Sequence, residues 1–249
     1  RDMKKEFLDV FKSRKPIFGM LHLLGDNDEE VMERAKKEIS IYYENGVDAV
    51  IVENYFGTYR HMVLVLTYLQ QNYPNQIYGV NCLDQDTMNF ELAIKYGATF
   101  VQLDSVAGHL EERNDITFDA FMKLYRSRFS GHVLGGVRFK YQPYLSGRSL
   151  QEDLRIGMTR CDAIVVTQDA TGQETSMEKI KEFRDIIGDF PLIIGAGMTP
   201  DNCEKQLHVG DAAIVGSYFK DTYKDHGEVD AQHVKQMISA RNACLNGGD

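Results

Sequence analysis

The sequence has no tryptophan, no CxxC pair among its four cysteines and no apolar run longer than a strand. The missing tryptophan excludes nothing. Cys82, Cys161, Cys203 and Cys244 are widely spaced, so four free thiols in a reducing compartment is a simpler reading than two bridges. Without a long apolar run there is no candidate transmembrane helix. Without an apolar leader near the start, secretion is not expected and a cytoplasmic location is. HExxH and Cys/His frameworks are absent, so structural zinc is not expected either. Positive charge is in short supply: 28 Lys and Arg stand against 37 Asp and Glu, a formal net charge of -9. That balance argues against a nucleic-acid partner, yet leaves room for a local basic pocket around an anionic ligand.

What is present is ordinary globular composition, 43% hydrophobic and 26% charged. Apolar segments of strand length alternate with helical periodicity along the whole chain. The spacing predicts strands over Pro16–Leu21, Val47–Glu53, Ile77–Asn81, Thr99–Asp104, His132–Phe139, Asp162–Thr167, Pro191–Gly195 and Ala212–Gly216. Between Asp28 and Glu44 the residues Val31, Ala35, Ile39 and Tyr42 recur three or four apart, and Asn45-Gly46 stops that helix. Further helices are predicted over His61–Gln71, Thr87–Tyr96, Phe118–Arg128, Leu150–Met158, Ser176–Ile187, Asp201–Leu207 and Ala231–Ala243. A short amphipathic helix, Met3–Lys12, precedes the first strand, with Phe7, Leu8 and Phe11 on one side.

Eight strands each followed by a helix predict an α/β fold, a (β/α)8 TIM barrel in a single domain, with the helical segments serving as parallel crossovers. The rival, an open doubly wound sheet, usually carries GxGxxG after its first strand. Here that strand runs into HLLGD instead.

In such a barrel the C-terminal strand ends assemble the site. The ring of strand ends here carries His22, Glu53, Asn81, Asp104, Arg138 with Lys140, Thr167, and two glycine turns. The turns lie in IIGAGMTPDN and AAIVGSYFK. Gly195, Gly197, Gly216 and Ser217 let backbone amides approach a phosphate group, Thr199 is placed to cap the helix near Pro200, and Lys220 is a candidate counter-charge. Glu53 and Asp104 face each other as acid–base candidates, each able to raise the other's pKa. His22 is a candidate proton shuttle near neutral pH. Lys140 is a candidate for balancing a carboxylate, for stabilising a developing negative charge, or for acting as a Schiff-base amine. Arg138 and Lys140, two apart, are expected to point to one side. Asn81, Arg138 and Thr167 join the glycines as candidate ligand contacts. His22, Glu53, Asp84, Asp86 and Asp104 could also ligate a hard cation such as Mg2+. No cofactor is expected. Tyr141 and Tyr144 are candidates to stack on a ligand ring or to roof the barrel, and His109, after strand four, is within reach of the mouth.

The motifs KPIFGMLHLLGD, DAVIVENYFG, GVNCLDQD, GATFVQLD, CDAIVVTQDATG, LIIGAGMTPDN and DAAIVGSYFK resemble those of the BtpA/SgcQ family, over roughly Lys15 to Tyr223. The resemblance implies a barrel related to ribulose-phosphate-binding barrels, a phosphate near Gly195, Gly197, Gly216 and Ser217, and a founding member linked to photosystem I biogenesis. The chain departs from the family pattern at its mouth. Tyr141 stands where the family tends to carry histidine, Gly136 where it carries an acid, Gln168 where it carries glycine, and the proline-rich first loop is missing.

Two functions are thereby expected. The first is an enzyme acting on a phosphorylated sugar or nucleotide-like molecule by acid–base chemistry, its class (isomerase, lyase or glycosyl transfer) left open. The alternative is a non-enzymatic assembly or regulatory factor that retains a ligand-binding barrel. A homo-oligomer is the expected state, since barrels of this kind often pair.

Overall fold

A computed structural model of the chain describes residues 4–247. Eight strands, β1 (Ile17–Leu21), β2 (Ala49–Glu53), β3 (Tyr78–Asn81), β4 (Phe100–Ala107), β5 (His132–Val137), β6 (Ala163–Val166), β7 (Leu192–Ile194) and β8 (Ala212–Val215), close into a barrel in sequence order. Every pair is parallel, and β1 meets β8 through Ile17 and Ala213. Eight helices cover it: α1 (Asp28–Glu44), α2 (Tyr59–Asn72), α3 (Asp86–Tyr96), α4 (Glu112–Arg128), α5 (Leu150–Met158), α6 (Met177–Ile187), α7 (Cys203–Val209) and α8 (Ala231–Asn246). This is the (β/α)8 architecture read from the spacing.

Strand alternation divides the core in two. Phe18, Met20, Ile51, Phe100, Leu134, Val165, Ile193 and Ile214 fill the barrel interior. Their neighbours Ile17, Leu21, Val50, Val52, Val101, Val133, Ile164 and Ala213 face the helices. The N-terminal helix is shorter than expected. A single 3-10 turn, Phe7–Val10, takes its place, and Met3 lies outside the described residues. Its aromatic pattern serves another purpose: Phe7, Phe11, Phe18 and Phe100 form one cluster of edge-on and tilted ring contacts at centroid distances of 5.1 to 6.1 Å, so the segment plugs the barrel floor.

A recurring aspartate pins the strand starts. Asp48, Asp162 and Asp211 each precede the alanine that opens β2, β6 and β8. Each accepts the backbone N–H at or next to the start of the preceding strand, Ile17 at 2.8 Å, Val133 at 2.8 Å and Leu192 at 2.9 Å. Each also takes an arginine from a neighbouring helix: Arg241 at 2.9 Å, Arg126 at 3.0 Å and Arg184 at 2.7 Å. The device fixes register at the end of the barrel away from the site, because a one-residue slip would separate donor from acceptor.

Several boundaries differ from expectation. α4 starts six residues earlier than its apolar periodicity suggests, at Glu112. β4 runs past Asp104 to Ala107, with a register shift after Leu103. α7 starts at Cys203, and Thr199 does not cap it: the Thr199 N–H is instead taken by the Asn202 side chain at 2.8 Å. The four cysteines are free, with Cys203 and Cys244 sulfurs 3.7 Å apart.

Candidate functional site

The inward positions at the strand ends open into one cavity of about 550 Å3 at the C-terminal rim, a size ordinary for a small-molecule site. Its lining includes His22, Glu53, Asp104 and Lys140 on one arc and Gly195, Gly197, Gly216 and Ser217 on the other. The two glycine turns therefore share one space, as expected from adjacent strands. Asn81, Thr167 and Arg138 are not among the lining residues and play supporting parts.

Asn81 is buried behind the carboxyls. Its side-chain amide donates to Glu53 Oε2 at 3.1 Å and Asp104 Oδ1 at 3.2 Å, so one amide group orients both. Burial and the Asp104 charge push Glu53 up to about 8. Asp104 is raised by burial as well, against the pull of Asn81 and Lys140. At neutral pH Glu53 thus holds a proton, as a general acid must. Asp86, under burial and the same Asp104 charge, is pushed up to about 6.

His22 does not titrate near neutral pH as expected. Burial and Lys220 hold it down to about 3. Its Nε2 lies 3.8 Å from Glu53 Oε1, and with His22 deprotonated and Glu53 protonated this is a contact of two neutral groups, not an ion pair. Nδ1 faces the Asp225 carbonyl at 3.4 Å, and the ring lies against Tyr55, centroids 4.7 Å apart.

Arg138 and Lys140 do not share a side. Arg138 adopts φ +53, which breaks strand alternation. Its guanidinium donates to Asp153 Oδ2 at 2.8 Å and stacks on Tyr144 at 4.5 Å, while Lys140 enters the cavity lining. Thr167 Oγ1 accepts the Lys140 N–H at 2.7 Å, and Lys179 Nζ bridges the carbonyls of Arg138 and Thr167 at 3.0 and 2.6 Å. These bonds hold the strand-five loop that carries Lys140. Lys220 is buried beside Glu38, 3.8 Å away, and is not among the lining residues, so it is no counter-charge at the rim. His109 packs edge-on against Phe118 at 5.1 Å and also lies outside the lining. Among the described residues no group of three or more His, Cys, Asp or Glu is placed to hold a metal ion.

The glycines differ in what they do. The Gly195 N–H is spent on the Val166 carbonyl at 2.8 Å, and a Cβ there would meet Val165 at 2.7 Å. Gly197 sits at φ +78, with the Gln173 carbonyl 2.2 Å from where a Cβ would stand. Both are glycine for structural reasons. Gly216 differs. Its φ is -115, and a Cβ built on it meets nothing within 4 Å. Packing does not require a glycine at this point of the cavity wall.

Residues not anticipated from sequence also line it, among them Tyr55, Gln102, Met198, Tyr218 and Tyr223. Tyr55 donates to Asp225 Oδ2 at 2.6 Å, tying the second loop to the segment after β8. Gln102 had a signal, since it stands two before Asp104 on one strand and so shares its face.

Residues 13–243 match the BtpA family. The chain is 26% identical to a photosystem I biogenesis protein, BtpA, of Synechocystis, over 94% of this chain and 91% of that one. It is 24% identical to an uncharacterised protein of Methanocaldococcus jannaschii over 94% and 98%. In structure it resembles a thiamine phosphate pyrophosphorylase from Pyrococcus furiosus, TM-score 0.61 at 12% identity, over 93% of this chain and 97% of that one. This last likeness is one of fold. Among the described residues no helix is long and apolar enough to cross a membrane.

Proposed function

The chain belongs to the BtpA family, and on that premise we propose that its barrel mouth binds a small phosphorylated molecule of sugar or nucleotide type, with acid–base chemistry at the Glu53–Asn81–Asp104 cluster. The phosphate is held at the turns after β7 and β8. The observation that carries this reading is Gly216: a position whose packing does not require glycine lies on the cavity wall beside the turn after β7. Lys140 is the one Lys or Arg among the lining residues, so the grip on the anion rests on backbone amides and the Ser217 hydroxyl.

Opposite the turns, a protonated Glu53 is poised to give a proton and Asp104 to take one, with Asn81 holding both in place. Lys140 and the neutral His22 border them. This arrangement serves proton transfer at a carbon or oxygen of the bound molecule.

The assembly reading has a specific observation too. The Synechocystis relative is named for photosystem I biogenesis, whereas the structural likeness speaks for fold alone. The comparisons favour this reading over any particular reaction; the convergent carboxyls favour chemistry. A soak with ribose 5-phosphate tests the pocket: its phosphate beside Gly216 and Ser217 is the expected result, and an anion bound elsewhere refutes it. Complementation of a deletion strain of the native host then separates the two roles. Loss of rescue by Glu53→Gln supports chemistry, and full rescue supports assembly.

A further inference from the structure

Helix α4 carries apolar side chains on the side that faces away from the barrel. Its inner face is spent on the core through Phe118, Met122 and Tyr125. Its outer face presents Ile116, Ala120 and Leu124, four residues apart and therefore in line along the helix. Ile116 is 67% exposed and Leu124 55%, the two most exposed large aliphatic side chains among the described residues. Charge along the same helix is segregated, with Glu112 and Asp115 in the first turn and Arg126 and Arg128 in the last. Asp115 and Arg126 are engaged within the chain, by Arg160 at 2.8 Å and by Asp162 at 3.0 Å. Glu112 and Arg128 stay at the surface, and Arg128 reaches Glu91 at 3.4 Å between two half-exposed groups.

These positions are related by a centre. Ile116 and Leu124 stand four residues before and after Ala120, and Glu112 and Arg128 stand eight before and after it. The pattern about Ala120 is therefore even in apolar character and opposite in charge. We propose that α4 packs antiparallel on the α4 of a second copy of this chain, with a twofold axis passing at Ala120. In such a pair Ile116 meets Leu124 of the other copy twice over, which is the self-complementarity that a closed dimer requires. The small Ala120 side chain at the crossing point lets the helix axes approach closely. Glu112 of each copy comes over Arg128 of the other, and the two helix dipoles oppose, so charge fixes the antiparallel direction. A parallel pair would set Glu112 on Glu112 and Arg128 on Arg128. One helix on one helix buries less than about 1,200 Å2 in total, the range of reversible interfaces, so the dimer is expected to exchange with monomer at micromolar concentration. The inference concerns the outer surface and is independent of what the cavity binds.

The test is sedimentation velocity from about 1 µM to about 100 µM, with thermal unfolding of each variant at the lowest concentration. Wild type is expected to pass from monomer to dimer over this range. Ala120→Arg, which wedges the crossing point from an exposed position, is expected to stay monomeric and to melt like the dilute wild type. Glu112→Arg and Arg128→Glu, taken singly, are each expected to weaken the dimer about fivefold, since two equivalent surface pairs are lost. The protein carrying both reversals is expected to dimerise like wild type, because each new charge again faces its opposite. Wild type that remains monomeric at the top of the range overturns the proposal. A dimer that survives Ala120→Arg places the interface elsewhere and overturns it too. Failure of the double reversal to restore what the single reversals lose overturns the antiparallel register, and this arm decides even where Ala120→Arg proves unstable.

Discussion

Replacing Gly216 by alanine separates what the fold needs from what the ligand needs. The residue has φ -115, and no atom lies within 4 Å of an added Cβ. The unfolded chain loses freedom when glycine becomes alanine, which stabilises a compatible site by about 0.4–1 kcal/mol. For a chain of this size 1 kcal/mol moves Tm by roughly 2–4 °C. Gly216→Ala is therefore expected to leave the melting temperature of the unliganded protein within about 4 °C of wild type. Its methyl group stands in the cavity, where a phosphate oxygen on the neighbouring amides would have to sit. Losing one charge-assisted hydrogen bond costs about 1.5–3 kcal/mol, or roughly 10- to 100-fold in affinity. Scanning calorimetry and titration with inorganic phosphate read the two effects on one sample. A phosphate affinity equal to wild type refutes the placement of the anion. A melting temperature lower by more than about 4 °C refutes the claim that packing leaves this position free.

Gly197→Ala is the contrast: φ +78 and a carbonyl 2.2 Å from the new methyl predict a loss of roughly 5–10 °C in Tm, about 2–3 kcal/mol. Glu53 predicts a pH effect. Its folded pKa of about 8 lies above the unfolded value, so its contribution is fully present below about pH 4.5 and is lost as pH rises through 8. Glu53→Gln removes that dependence and is expected to gain on wild type between pH 5 and 8, by an amount on the order of 4 kcal/mol at most; parallel stability curves for the two proteins would contradict the assignment. Asp48→Ala strips the Ile17 N–H and the buried Arg241 of their acceptor, with an expected cost of about 3 kcal/mol, seen as a lower urea midpoint at constant m. Asp48→Asn keeps an acceptor for the Ile17 N–H and is expected to lose less.

The barrel was legible because strand and helix patterns alternate at a regular period, and because an inward position two residues from another inward position needs no structure to find. That logic placed His22, Glu53, Asp104 and Lys140 around one opening. It failed at Arg138, where a left-handed residue turned the chain and sent the guanidinium to Asp153. It failed at Lys220, whose distance in sequence from Ser217 said nothing of the buried Glu38 waiting for it. His22 was found, but its proton affinity depends on burial and on Lys220, neither of which the sequence displays. The tie from Tyr55 to Asp225 joins residues 170 apart and left no local trace. The Phe7 and Phe11 pattern was real, yet amphipathicity does not say whether an apolar face lies along a helix or stops a barrel.

The junction of β1 with β8 has a consequence for synthesis. Ile17 leaves the ribosome before its partner Ala213, with six strands made between them. Until then the nascent sheet carries two open edges, β1 on one side and the newest strand on the other, each offering unpaired amides to any passing chain. Variants that slow or weaken closure at this seam should show their damage as aggregation during expression, well before any defect appears in the finished molecule.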